Sequence, residues 1–146
     1  MNNLGYTQPL FIMACDHRAS FAKGIFGVTD EQWPPELTET IREYKHVIFE
    51  ALLKAIEQGV PKQHAAILID ELTGDTVLKE AKVAGIATIL TVEKSGQEEF
   101  TLEYGQDFAA HIVKYGPTFA KALIRYNPDG DVEMNSRQRE KLKVFN

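Results

Sequence analysis

The chain has 146 residues, 44% of them hydrophobic and 25% charged, which is enough for one domain with a buried core. A formal net charge of -5 argues against nucleic acid or an anionic membrane as the main partner, while a local basic pocket for a phosphorylated metabolite stays compatible with it. The single cysteine, Cys15, allows no intrachain disulfide and suits a reducing cytoplasm, and neither a signal-peptide pattern nor an apolar run long enough to span a bilayer is present.

Leu10 to Cys15 (LFIMAC) is a continuous apolar run, the pattern of a strand covered on both faces, and it ends in Asp16-His17-Arg18. Cys15, inside that run, reads as a buried and inert thiol. Ala19 to Gly27 predicts a short helix and loop. Beyond Trp33-Pro34-Pro35, Ile41, Tyr44, Ile48, Leu52 and Ala55 share one helical stripe, with Gly59 as its stop and Pro61 after it. A second apolar run, Ala65 to Ile69, ends in Asp70-Glu71. Val77, Leu78, Ala81 and Ala84 then form another helical stripe, closed by Gly85. The third run, Ile86 to Val92, is β-branched and ends in Glu93-Lys94-Ser95-Gly96. Tyr104, Phe108, Ile112 and Tyr115 make a further stripe, closed by Gly116-Pro117.

Phe119 to Asn127 predicts a fourth, buried strand on which Lys121, Leu123 and Arg125 share a face. It stops at Asn127-Pro128, turns through Asp129-Gly130, and leaves Asp131 to cap a last helix. The fold class expected is therefore α/β, built of parallel (β/α) units over residues 1–146, with strands near 10–15, 65–69, 86–92 and 119–127. Two architectures use such units. An open doubly wound sheet of the flavodoxin kind binds a small molecule at a switch point in the strand order. A TIM (β/α)8 barrel carries its site on the same strand ends but needs about 250 residues, so four units make its first half, with an unpaired edge on each outer strand.

The strand ends collect Asp16, His17 and Arg18; Asp70 and Glu71; Glu93, Lys94 and Ser95; and Lys121, Arg125 and Asn127. Acids and bases converging from several strands are what proton transfer at a carbonyl requires. Polar strand ends also occur wherever strands meet water, and on spacing alone Lys121 is explained by a lysine snorkelling to solvent. That bland account fits less well a lysine embedded beside Asp-His-Arg and Glu-Lys-Ser-Gly clusters. The four histidines show no ligand spacing for a metal, and neither a Walker A loop nor a G-x-G-x-x-G turn is present, so no cofactor is expected.

The stretches FIMACDHRASFAKGIFG, AAILIDELTG, TVEKSGQEEFTLEYGQDFAAHI and FAKALIRYNPDGDVEMNSRQ resemble the aldolase-like barrel domain fused behind the sugar kinase in bacterial 5-dehydro-2-deoxygluconokinases of myo-inositol catabolism. That domain is in turn similar to class I tagatose-1,6-bisphosphate aldolase. The resemblance runs from about Pro9 onward. It implies a lyase of carbohydrate metabolism: a TIM barrel cleaving a phosphorylated keto-sugar or keto-acid through a lysine Schiff base. Asp16, Glu93 and Lys121 match the catalytic positions on the first, third and fourth strands. His17, Arg18, Asp70, Lys94, Ser95 and Arg125 are the accompanying substrate-binding candidates. The Schiff-base lysine of the aldolases lies on a sixth strand and their phosphate loops follow the seventh and eighth. By the resemblance, this chain corresponds to the N-terminal half and is expected to be inactive alone, with Lys121 an electrostatic helper. A self-assembling or small-molecule-binding half-barrel is the non-catalytic alternative, so a homo-oligomer or a second barrel half is the expected partner.

Overall fold

Four strands run parallel, side by side in chain order, in the computed structural model, which describes residues 6–29 and 32–145. The domain bounds 1–146 expected from the sequence extend past these residues at both ends. The strands are β1 (Phe11–Ala14), β2 (Ala65–Asp70), β3 (Ala87–Thr91) and β4 (Phe119–Lys121). Met13 lies beside Ile67, Ile69 beside Leu90, and Thr91 beside Lys121. The helices between them are α1 (Ala19–Phe26) and α2 (Pro35–Glu57), then α3 (Glu71–Val83) and α4 (Phe108–Tyr115), with α5 (Val132–Leu142) after β4.

The order 1-2-3-4 has no reversal. A flavodoxin-like sheet reverses its winding at a switch point, so that alternative is corrected: the sheet is singly wound, as in half of a (β/α)8 barrel.

Side-chain alternation divides the sheet into two faces. Cys15, Ile67, Ile69, Leu90 and Val92 join Phe49, Leu52, Val77, Leu78 and Ala81 in one apolar core between sheet and helices. The opposite face carries Ile12, Leu68, Ile89 and Phe119, which lead to the charged residues at the carboxyl ends. Helix starts follow local chemistry. Pro35 opens α2 with its fixed φ, and Asp70 caps α3 by accepting from the Thr73 N–H at 2.9 Å. Asp131 caps α5 in the same way, through Met134 N–H at 2.8 Å.

Four expectations from the sequence are corrected. The first run is not covered on both faces: β1 is an edge strand, with Phe11 61% and Ile12 49% exposed. The fourth strand is neither buried nor nine residues long, since its ladder ends where β3 ends, at the Thr91–Lys121 pair. On α2 the buried positions are Ile41, Lys45, Phe49 and Leu52. Tyr44 turns away to meet Phe21 and Phe26 of α1, at ring distances of 6.4 and 5.4 Å. Tyr104 lies ahead of α4, stacked on His111 at 3.5 Å, so it is not part of that helix's stripe.

Candidate functional site at the strand ends

β1, β3 and β4 deliver three charged side chains to one point. Lys121, last in its ladder, directs its ammonium between two carboxylates. Its Nζ donates to Glu93 Oε1 at 2.6 Å and to Asp16 Oδ2 at 2.8 Å. The Thr91 hydroxyl, two residues before Glu93 and on the same face, donates to Asp16 Oδ2 at 3.3 Å. Arg18 closes the back of the cluster: it donates to the Glu93 carbonyl at 2.8 Å and to Glu103 Oε2 at 2.8 Å. These bonds leave Glu93 Oε2 buried without a hydrogen-bond partner among the described residues.

The electrostatics follow from that crowding. Burial pushes the Asp16 carboxyl up, but the hydrogen bond and charge of Lys121, with help from His17, more than offset it and hold Asp16 below its ordinary value. Burial opposes the Lys121 ammonium as well, yet its bonds to Asp16 and Glu93 prevail and hold its pKa above the ordinary lysine value. At neutral pH Asp16 therefore keeps its charge and Lys121 keeps its proton. Cys15, below the cluster, is buried and its thiol is pushed up to about 11, chiefly by that burial.

Around the triad opens a cavity of about 360 Å³, whose lining includes Asp16, His17, Arg18, Glu93, Lys94, Ser95, Lys121 and Arg125. The loop that supplies Lys94 and Ser95 leaves β3, bends at Gly96 (φ 74) and returns as a short antiparallel bridge, Glu93 against Leu102. Only glycine takes that positive φ without strain. Arg18 and this loop also border a second cavity of about 460 Å³ that reaches Trp33, Leu72 and Glu103. His17, Lys94 and Arg125 sit exposed at the rim, and the side chains of Lys94 and Arg125 form no ion pair among the described residues.

Three of the strand-end candidates, Asp70, Glu71 and Asn127, line neither cavity. Asp70 is spent on capping α3 and on a buried ion pair with Lys45 of α2. Glu71 likewise lies outside, bonded to His111 and Lys114 of α4 at 2.5 and 2.8 Å. Sequence reasoning missed Glu103, Phe100 and Gln138. Thr91 could have been found from its two-residue spacing to Glu93, whereas the partner of Arg18 lies 85 residues away with no local signal. No group of three or more His, Cys, Asp or Glu placed to hold a metal ion is found among the described residues. Among them, no helix is long and apolar enough to cross a membrane.

Fold and site together define a class: a singly wound parallel α/β domain with a charged cavity at the carboxyl ends of its strands. The chain belongs to the family described as "Uncharacterized protein conserved in bacteria (DUF2090)", whose model matches residues 3–146. No curated protein and no solved structure matches it.

Proposed function

We propose that this chain is the first half of an aldolase-like (β/α)8 barrel that takes a phosphorylated keto-sugar or keto-acid for Schiff-base aldol cleavage, and that it does not complete the reaction alone. The observation that carries this reading is the Lys121 ammonium clamped between Asp16 and Glu93, three groups from three strands at the mouth of one cavity. A protonated amine has no lone pair with which to attack a carbonyl. Lys121 is therefore the group that hydrogen-bonds the carbonyl oxygen and stabilises charge developing there, and the nucleophilic lysine belongs to the second half implied by the resemblance. Asp16 and Glu93 keep that ammonium charged and provide carboxylates for proton transfer. The rim cations Lys94 and Arg125 suit the anionic end of the substrate. The adjoining second cavity gives an extended open-chain sugar room beyond the reacting carbon.

Dihydroxyacetone phosphate tests this, with binding followed by phosphorus NMR and covalent adducts by intact mass after borohydride. Saturable binding that Lys121→Met weakens, with no mass increase on the chain alone, is the expected result. A trapped adduct that disappears in Lys121→Met would make Lys121 the nucleophile and reverse its role. An absence of binding by phosphorylated ketones and keto-acids alike at millimolar concentration would remove the substrate class.

A further inference from the structure

The irregular segment after β4 carries two cavity-lining residues, Leu123 and Arg125, without a sheet ladder to hold them. The last ladder bond on that side is from Val92 N–H to the Lys121 carbonyl, at 2.9 Å. Beyond it, two amide side chains of α5 take over. Gln138 Nε2 donates to the Arg125 carbonyl at 3.0 Å, and Asn135 Nδ2 donates to the Asn127 carbonyl at 2.6 Å.

Gln138 is fully buried in a helix otherwise dominated by charged and polar residues, VEMNSRQREKL. A buried amide is costly unless its groups are satisfied. This one is used on both sides, because its Oε1 also accepts from Phe100 N–H at 3.0 Å. Phe100 and Arg125 both line the cavity, the one from the loop after β3 and the other from the segment after β4, so one side chain ties the two together. The exposed face of α5 reinforces the link: Arg137 and Lys141 hold Glu99 at 2.9 and 2.6 Å, and Lys141 also donates to the Phe100 carbonyl at 3.0 Å.

We infer that α5 braces the cavity and that Gln138 is the positioning residue that holds the Arg125 segment, and with it the cation for an anionic ligand group, against the loop that carries Phe100. The part about the ligand rests on the reading proposed above; the part about the brace does not.

Amide exchange and inorganic phosphate titration, both read by NMR on the full chain, separate the two. Gln138→Met keeps volume but removes both bonds, while Gln138→Glu keeps an acceptor for Phe100 N–H and loses the donor to Arg125. The expected result is that the Phe100 amide exchanges at least about tenfold faster in Gln138→Met than in wild type or Gln138→Glu, equivalent to about 1.4 kcal/mol of lost protection. Resonances of 125–127 shift in both variants, while Ile67 and Ile69 in β2 stay unchanged. Phosphate binding weakens about tenfold in Gln138→Met and in Arg125→Ala under conditions where both are fully folded. A structural role alone would leave that affinity intact. Unchanged Phe100 exchange and unchanged 125–127 resonances would overturn the brace, as would changes spread evenly over β2 and β3. If Gln138→Met does not fold, Gln138→Glu decides through the 125–127 resonances alone. Wild-type protein that ignores phosphate while the exchange pattern holds would refute the anionic-substrate reading and leave the brace standing.

Discussion

Lys45 Nζ lies 2.5 Å from Asp70 Oδ2, and neither side chain reaches solvent. The pair joins the middle of α2 to the end of β2, and Asp70 is satisfied further by the hydroxyl and N–H of Thr73. Two buried opposite charges contribute little net stability, but one left alone is costly. Lys45→Met should therefore lower unfolding stability by about 3–5 kcal/mol. Lys45→Met combined with Asp70→Asn should recover a good part of that loss, because asparagine carries no charge and still caps α3. Urea unfolding curves measure both. A single variant within about 1 kcal/mol of wild type would show that the pair is not desolvated as its burial implies.

The Asp16–Lys121 pair predicts a pH window. Asp16 is held below its ordinary 3.8, so its contribution is present above that value and is lost as pH falls through the folded-state pKa. Lys121 is held above its ordinary 10.5, so its contribution is present below that value and is lost as pH rises through the folded-state pKa. Both are intact from about pH 4 to about pH 10.5. In Lys121→Met the burial that opposes ionisation of Asp16 is no longer offset, and its carboxyl should titrate at higher pH. Carbon NMR of the Asp16 carboxyl reads this directly; an unmoved midpoint would mean that Lys121 is not its controlling neighbour.

Gly74 sits within α3, where alanine would ordinarily gain about 1 kcal/mol of helix propensity. Here a Cβ would meet Ile69 Cγ1 at 2.3 Å and Cδ1 at 2.4 Å, inside the fully buried contact between α3 and β2. Overpacking costs of about 1–3 kcal/mol make the clash the larger effect. Gly74→Ala should be net destabilising, and Ile69→Val should soften the penalty by removing Cδ1. Thermal midpoints of the two singles and the double test it; a Gly74→Ala protein more stable than wild type would mean the helix moves out at no cost.

Among the described residues the two outer strands have unpaired edges, and apolar side chains are exposed near both: Phe11 and Ile12 on β1, Leu123 beyond β4. Such edges pair with other chains unless they are covered. The isolated chain is expected to self-associate as its concentration rises, and Ile12→Glu should weaken that association. Light scattering on the two proteins is the measurement. A cooperative monomer at high concentration would contradict the expectation.

Much of the fold was legible because its signals are local. The change between two-residue and helical spacing marks where strands give way to helices, and Asp131 announces α5 because its cap partner is three residues away. The strand-end clusters were legible too, since Asp16, Glu93 and Lys121 each follow or close an apolar run. Tertiary structure alone decided what depends on distant neighbours. LFIMAC reads alike for a central strand and an edge strand, and it is an edge only because nothing among the described residues pairs on its far side. β4 stops at Lys121 because the ladder of its neighbour stops at Thr91. Lys45 looks like a solvent-facing residue until Asp70, 25 positions on, meets it in the interior. Gln138 hides in a hydrophilic helix because its two partners, Phe100 and Arg125, come from separate loops. Hydrophobic period reports burial of the average side chain, whereas a buried charge or amide is stable only through its own partner, and that partner is chosen by the fold.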